Sequence, residues 1–312
     1  MREIFDPPGS TELTVLSYGA GQDSTAIFFK LIHDEKFRAR YLKGKLLVIF
    51  SDTLNEHRHT YDYLDYIQGI CVQYGIEFVW LKPDMGFHPE SWSQGLEGHY
   101  QKYHVIMSKA MRNKSCTSGL KIQPIYNFLS NYVNTKYLYS MSQPLRKGAL
   151  KDYAIRYGKV RVLLGISCEE SSRRIKTHSN GKWMDLTIEK RYPLVDIKYN
   201  RRDCQQYISS LNYKVPFPSN CRFCPFLSPK ELLWLYRNHP NDFKNWSNHE
   251  ANKLRKFAIQ QQLRGQNNHT VFGNDLTLDE VLQQAIKEFG HLSDEALSKE
   301  KFTHGHCVLS SY

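Results

Sequence analysis

The chain has 312 residues, 41% of them hydrophobic, which is enough for one large or two small domains with a real core. It has no run of about 18 apolar residues and no leader-like start, so we expect no transmembrane helix, no signal peptide and a cytoplasmic location. The net charge of +11 favours a polyanionic partner such as nucleic acid, and the seven cysteines are more typical of thiols or metal ligands than of disulfides.

The first half of the chain alternates apolar runs of strand length with helical patterns. The predicted strands are residues 13–16, 46–50, 76–81 and 160–166. The predicted helices between them are residues 23–35, 57–74 and 122–134. This alternation predicts an α/β fold, a parallel sheet sandwiched by helices.

The other stretches are less regular. Residues 84–115 are rich in glycine and aromatic residues, and this composition predicts a long functional loop. Residues 178–220 are expected to form a less regular region. Helical patterns dominate after residue 229, and the tail from residue 293 is expected to be weakly ordered. We therefore expect a nucleotide-binding domain over residues 1–228 and a helical C-terminal extension over residues 229–312.

Small and polar residues follow the first predicted strand and lead into a helix. Ser17, Gly19 and Gly21 precede the pair Asp23 and Ser24. The glycines let the backbone turn sharply and approach a ligand, and the helix start offers free N–H groups. The stretch therefore predicts an anion cradle, most often for phosphate, with a plain strand-turn-helix connection as the alternative.

Polar residues also follow two other predicted strands, at residues 51–52 and 165–170. In open parallel sheets the ligand binds at the carboxyl ends of the strands, so we expect one site assembled from these segments. Asp52 suits a ribose hydroxyl, the amino group of a base or a metal, and the alternative is a helix cap. Arg173 and Arg174, just beyond, suit phosphate oxygens as planar bidentate donors unless both are simply solvated.

Cysteines form the second candidate site. Arg112 and Lys121 flank Cys116, and nearby cations favour the thiolate, unless this is only a basic helix start with an incidental cysteine. Cys221 and Cys224 form a C-x-x-C pair, a spacing that can bind one metal centre. With Cys116 and Cys204 the candidate thiolates number four, a set that suits a 4Fe-4S cluster or tetrahedral zinc; a redox pair or structural thiols remain open.

These segments, in this order, resemble the PP-loop ATP pyrophosphatases and the related phosphoadenylyl-sulfate (PAPS) reductases, members of the adenine nucleotide alpha hydrolase (HUP) superfamily. Residues 17–24 resemble the S-G-G-x-D-S loop, with an unusual Tyr18. Residues 52–60 resemble D-T-G-x-E-x-x-x-T, with Leu54 in place of the usual glycine.

Three later stretches extend the resemblance. Residues 116–124 resemble C-T-x-x-x-K-x-x-P, and residues 165–174 resemble G-I-x-x-x-E-x-x-R-R. The cysteine pair lies in C-x-F-C-P-F, as in relatives whose four cysteines hold a 4Fe-4S cluster. The resemblance therefore favours the cluster over zinc, and it implies ATP and Mg²⁺ as the other cofactors.

The resemblance also implies roles for the candidate residues. The expected phosphate cradle is Ser17, Tyr18, Gly19, Gly21, Asp23 and Ser24. Asp52 and Gly165 are expected near the nucleoside, and Arg112, Lys121, Arg173 and Arg174 near phosphate or sulfate. The expected catalytic residues are Asp23, Ser24, Lys121, Arg173 and Arg174. The expected cluster ligands are Cys116, Cys204, Cys221 and Cys224.

The activity that this implies is an AMP-forming ATP pyrophosphatase that adenylates a nucleic acid for sulfur incorporation. The nearest such enzymes are the ATP pyrophosphatase components of DNA phosphorothioation systems, with tRNA thiolation enzymes as the sister possibility. A cysteine desulfurase is the expected sulfur donor, and a homo-oligomer is possible. Two alternatives are a sulfonucleotide reductase, whose late cysteine would be Cys307, and a module that binds nucleotide without turnover.

Overall fold

A five-stranded, all-parallel sheet forms the centre of the protein in the computed structural model, which describes residues 2–111, 115–139, 148–173, 182–265, 267–273 and 275–303. The strands are β1 (Leu13–Ser17), β2 (Lys45–Ser51), β3 (Glu77–Leu81), β4 (Val160–Leu164) and β5 (Ile188–Arg191). Their order across the sheet is β3-β2-β1-β4-β5.

Helices surround the sheet and make up the C-terminal part. Those up to residue 210 are α1 (Arg2–Phe5), α2 (Gln22–His33), α3 (Glu35–Tyr41), α4 (Arg58–Tyr74), α5 (Gly95–Tyr103), α6 (Ser115–Thr117), α7 (Gln123–Lys136), α8 (Gly148–Tyr157), α9 (Lys182–Thr187), α10 (Pro193–Asp196) and α11 (Arg201–Ser210). Those after it are α12 (Pro229–Asn238), α13 (Pro240–Arg264), α14 (Leu278–Phe289) and α15 (Asp294–Thr303). None of these described helices is both long and apolar enough to cross a membrane.

Both faces of the sheet are buried, which explains the continuous apolar run of β2. Side chains alternate along a strand, so Val48 and Phe50 pack into one core cluster while Leu47 and Ile49 pack into another. The first cluster contains the apolar faces of α2, α3, α4 and α11, and the second those of α7 and α8. The predicted parallel α/β sheet sandwiched by helices is therefore confirmed.

The strand order places a crevice between β1 and β4. From β1 the chain first runs outwards through β2 and β3, then returns to β4 and β5 on the other side. This is the order of the first five strands of the doubly wound dinucleotide-binding fold. In such sheets the ligand site lies outside the carboxyl ends of the strands at this reversal, which here falls beside the loop that follows β1.

A third core cluster joins the middle of the chain to its C-terminal helices. Trp92 and Leu120 pack there with Phe223, Trp246 and Leu282, and the Trp246 side chain is fully buried. The helices after residue 229 therefore share a core with residues 92–120. The domain boundary at residue 228 stays a prediction.

Three predictions about local structure were wrong. The stretch expected to be one long loop, residues 84–115, contains α5. The looser region contains β5 and α11. The described part of the tail expected to be weakly ordered forms α15, because Leu297 and Lys301 are buried against the rest of the protein, each 1% exposed.

Candidate functional site

A cavity of about 130 Å³ opens at the carboxyl ends of β1, β2 and β4. We call it the cradle cavity. The predicted site residues that line it are Ser17, Tyr18, Gly19, Gly21, Asp23, Ser24, Lys121 and Gly165. It lies at the reversal of strand order, where a ligand is expected in this type of sheet.

The loop after β1 is held by short-range hydrogen bonds. The Gly19 N–H donates to Ser24 Oγ at 3.2 Å, and that hydroxyl donates to the Gly21 carbonyl at 3.2 Å. Ala20 has a φ of 56°, the left-handed region, so the loop turns sharply there. Residues 21–24, the first turn of α2, line the cavity, and the N–H groups of a first turn suit an anion.

Gly165 lets the end of β4 come close to the start of α2. A Cβ atom at this position would lie 2.7 Å from the backbone nitrogen of Ser24 and 3.0 Å from its Cα atom. Both are backbone atoms that cannot move aside, so only glycine fits. The residue therefore shapes the cradle cavity through close packing.

The side chain of Tyr18 lies in the core, although the residue lines the cavity. Its ring is 2% exposed and packs edge-on against Phe78, and its hydroxyl lies 2.9 Å from Thr25 Oγ1. The unusual residue of the loop thus stabilises the base of the loop and leaves the anion side to smaller residues.

Arg201, the first residue of α11, lies between two carboxylates of the cradle cavity. Its guanidinium is 3.9 Å from Asp23 Oδ1 and 3.4 Å from Glu170 Oε1. Our sequence analysis did not single it out as a cavity residue. The detectable signal is the Asn200 cap with Asp203 three residues later, which marks a helix start at this residue.

Three of the four predicted cysteines line a second cavity, of about 40 Å³. The lining includes Cys116, Cys221, Cys224 and Thr53. Apolar side chains such as Phe223 form much of the remaining wall. We call it the cysteine cavity. Soft thiolates in an apolar pocket suit an iron-sulfur cluster or zinc. Among the described residues, however, no three His, Cys, Asp or Glu side chains are gathered into a preformed metal-binding group.

The loop that follows β2 holds the C-x-x-C segment. The Cys221 thiol lies 3.5 Å from both Thr53 Oγ1 and Glu56 Oε1. Asn55 Oδ1 accepts from the Phe223 N–H at 3.2 Å. Burial, followed by the Glu56 carboxylate, raises the pKa of Cys221 well above its usual value, and the Lys121 ammonium opposes this shift.

Lys121 lines both cavities. It lies on a π-helical turn, Ser118–Ile122, that continues α6 into α7. Its ammonium group is 3.3 Å from Glu56 Oε1. Lys121 also lines a small space of about 20 Å³ together with Ser17 and Lys190 of β5, so two lysines approach the end of β1.

Cys204 lies apart from Cys116, Cys221 and Cys224, the other three predicted ligands. It is fully buried on α11, in the cluster that includes α2, and does not line the cysteine cavity. Burial raises the pKa of its thiol. The register of α11, set by its cap at Asn200, turns Cys204 towards the sheet side of the protein.

Asp52 does not line the cradle cavity, contrary to the predicted nucleoside contact. Its carboxylate is 1% exposed and accepts hydrogen bonds from Trp80 Nε1 at 2.8 Å, the Leu54 N–H at 2.8 Å and the Tyr61 hydroxyl at 3.0 Å. These donors hold the loop after β2. Leu54 has a φ of 54°, which explains why glycine is the usual residue in the resembled motif.

The helix α15 contacts one lining residue of each cavity. The Gln22 side chain, at the start of α2, donates to the Pro216 carbonyl at 3.0 Å and to the Phe302 carbonyl at 3.2 Å. Lys301 donates to Asn220 Oδ1 at 3.1 Å, and burial lowers the pKa of this lysine to about 8. α15 therefore packs behind residues that line the two cavities.

Four predicted residues lie wholly or partly outside the described residues. They are Arg112, Arg174 and Cys307, together with the side chain of Arg173. Their proposed roles stay predictions.

Comparison with known proteins gives one structural likeness. No family model matches the chain, and no curated protein matches it. Among solved structures, it is similar to the U34-tRNA thiolase NcsA from Methanococcus maripaludis with its 4Fe-4S cluster, at 13% identity and a TM-score of 0.39 over 94% of this chain and 85% of that chain. A likeness of this extent carries no argument about the reaction of this protein.

Proposed function

We propose that the protein is an AMP-forming ATP pyrophosphatase that activates a nucleic acid for sulfur incorporation. The observation that carries the proposal is that Lys121 lines both the cradle cavity and the cysteine cavity. A phosphate in the first cavity and a sulfur-bearing group in the second would therefore lie on two sides of one ammonium group. An enzyme that exchanges an activated oxygen for sulfur needs this juxtaposition.

The triphosphate would bind along the loop after β1 and the first turn of α2. Ser17 and Ser24 offer hydroxyl groups, and the start of α2 offers backbone N–H groups and the positive end of the helix dipole. Magnesium bound to nucleotides is held mainly by phosphate oxygens, with one or two carboxylates. Asp23 and Glu170, which both line the cradle cavity, are the carboxylates suited to that role.

The reaction would begin with attack of a nucleic-acid oxygen on the α-phosphorus of ATP. The bond from that phosphorus to the bridging oxygen breaks, and pyrophosphate leaves with the bond electrons. Lys121 and the loop N–H groups would stabilise the negative charge that develops on the phosphoryl oxygens. The substrate oxygen, now bonded to AMP, becomes a good leaving group for replacement by sulfur.

The three cysteines of the second cavity would hold the metal centre. Cys116, Cys221 and Cys224 fit an iron-sulfur cluster or zinc as soft ligands, and we favour the 4Fe-4S cluster because of the resemblance described above. When bound, the cluster would supply iron-sulfur chemistry beside the activated substrate. Cys204, buried elsewhere, is not part of this proposed ligand set.

The nucleic acid is the second substrate in this proposal. The resemblance points first to the DNA backbone and second to tRNA, and the net charge of +11 suits either polyanion. The sulfur would come from a cysteine desulfurase.

The test is pyrophosphate release from ATP by anaerobically purified protein with DNA or with tRNA. We expect release that depends on nucleic acid, and its loss in Asp23→Ala and Ser24→Ala. Lys121→Ala should lower it by about 100-fold, as expected for removal of a transition-state cation. Lys36→Ala, an exposed lysine on α3, is the matched control and should leave it unchanged.

Two results would contradict the proposal. One is the absence of pyrophosphate with every nucleic acid tried. The other is reduction of a sulfonucleotide to sulfite by the same preparation, which would assign the protein to the reductase class.

A further inference from the structure

We infer that α5 presents a stacking platform for an unpaired base of a single-stranded nucleic acid. The platform is the outer end of a row of three contacting rings, Trp92, His99 and Tyr103, which we call the aromatic column. The inference deepens the proposed function, on which it rests for the class of ligand, by locating where the polyanion docks.

The three rings run from the interior to the surface. Trp92 and His99 are stacked, with centroids 3.7 Å apart and 9° between their planes. The Tyr103 ring centroid lies 4.8 Å from that of His99, and its plane is tilted by 50°. His99 and Tyr103 are four residues apart on one helix, so they share a face. The His99 ring is fixed by a 2.7 Å contact between Nδ1 and the Ser91 carbonyl. Trp92 is 6% exposed and Tyr103 is 36% exposed.

The inner end of the column touches the turn that carries the site. A Cβ atom on Gly119 would lie 2.3 Å from Trp92 Nε1, so the indole packs directly on that backbone. Gly119 lies between Cys116 and Lys121 in the chain. Leu96, also on α5, lines the cysteine cavity. The column therefore connects the surface to the segment that supplies both a thiol and the shared ammonium group.

The outer end is flanked by two cations. Lys102 Nζ lies 5.4 Å from the centroid of the Tyr103 ring, and Lys256 Nζ donates to the Tyr103 carbonyl at 3.4 Å. Within the described ranges, neither ammonium has a carboxylate within 4.0 Å. The carboxylate on α5 itself, Glu97, is directed towards Arg222 and His249. The surface beside Tyr103 is thus aromatic and positively charged.

This combination suits an unpaired nucleotide. Single-stranded nucleic acids bind where bases stack on aromatic rings and phosphates lie near cations. A base within a duplex already stacks on its neighbours and would first have to leave the helix. One ring face with two flanking ammonium groups offers little of the apolar area that a protein partner needs, so a polynucleotide is the occupant that we propose.

The test is binding of fluorescently labelled single-stranded DNA and RNA 12-mers, and of the corresponding DNA duplex, to the full chain. Tyr103→Ala should weaken single-strand binding by about 5- to 100-fold, the range for loss of one stacked base, and Tyr103→Phe should stay within about twofold of wild type. Tyr66→Ala is the matched control, because Tyr66 is 37% exposed on α4. Replacing Lys102 and Lys256 by alanine should reduce the salt dependence of binding.

The inference is overturned if Tyr103→Ala binds single strands like wild type, if the duplex is the preferred ligand, or if neither strand type binds. Comparison of the DNA and RNA arms identifies which polynucleotide is preferred. Asp23→Ala should bind the 12-mers normally. Tyr103-dependent binding without pyrophosphate release would therefore contradict the proposed function alone. Nucleic-acid-dependent release that Tyr103→Ala does not change would contradict the inference alone.

Discussion

The cradle cavity and the cysteine cavity share Lys121 but have different kinds of wall. The cradle cavity is built at strand ends, by backbone turns whose hydrogen bonds span a few residues, such as Gly19 to Ser24. The cysteine cavity is closed by contacts between distant segments, such as Asn55 with Phe223, and much of its wall is apolar.

The difference separates two ways of building a site. The shape of the cradle cavity depends on the path of the backbone. The positions most sensitive to substitution are therefore glycines that lie close to other backbone atoms. The cysteine cavity depends on side-chain chemistry, so its sensitive positions are thiols and the loop after β2 that holds them. Substitutions in one region should therefore leave the function of the other largely intact.

The largest effect is expected from the cysteines. Cys224→Ala should abolish the broad absorbance near ~400 nm of anaerobically purified protein, a feature of iron-thiolate clusters, while ATP affinity stays within about twofold. Cys204→Ala should keep that absorbance and cost about 1 kcal/mol of unfolding free energy as a small core truncation. Loss of the absorbance in Cys204→Ala would restore this residue to the ligand set.

The second effect concerns two glycines of the cradle. Gly165→Ala should lower the free energy of unfolding by about 2 kcal/mol and weaken ATP binding at least about tenfold, because its Cβ would meet the backbone of Ser24. Gly19→Ala is the control for the free energy of unfolding, since the nearest protein atoms to its Cβ would lie at 3.9 and 4.0 Å. Chemical denaturation and calorimetric titration measure both quantities. If both variants lost the same free energy of unfolding, the close-packing argument would be contradicted.

A pH-dependent effect is expected from Lys190, whose pKa burial lowers from 10.5 to about 8. Charged lysine therefore costs folding free energy below pH 8, and this cost disappears as the pH rises from 8 towards 10.5. Lys190→Met should raise the melting temperature at pH 7 and lose that advantage by about pH 10. A gain that is constant across this range would exclude the titration of Lys190 as its cause.

The smallest effect is expected at Leu54, where the φ of 54° is unfavourable for a branched side chain. Leu54→Gly should raise the free energy of unfolding by about 0.5–1 kcal/mol, since 44% of the leucine surface is exposed and little packing is lost. Urea denaturation measures the change. If the variant were less stable, the packing of the leucine side chain would contribute more to stability than its exposure indicates.

The secondary structure around the cradle cavity could be predicted from local signals in the sequence. The strand, the loop after β1 and the start of α2 lie within a few residues of one another, so their turn chemistry and periodicity are readable in one stretch. The helix predicted over residues 57–74 is likewise present as α4. Lys121 and Cys116 belong to one segment of the sequence, and Lys121 lines both cavities.

The direction in which a side chain points was harder to predict than the place of its residue in the fold. Asp52 does follow β2, but Trp80 on the neighbouring strand β3 donates to its carboxylate, and no local pattern shows that contact. Cys204 has a plausible place in the chain, but the register of α11 decides which core it enters. Spacing in a sequence limits which thiols can meet, and tertiary packing then selects among them.

The hydrogen bonds of Gln22 have a consequence for folding order. This residue begins α2, the helix after the cradle loop, yet one of its partners, the Phe302 carbonyl, is 280 positions further along the chain. Ribosomal synthesis proceeds from the N-terminus, so the loop emerges long before the segment that completes its surroundings. Contacts of such large sequence separation also slow folding. The nascent chain therefore cannot complete the surroundings of the cradle cavity until residue 302 has been synthesised.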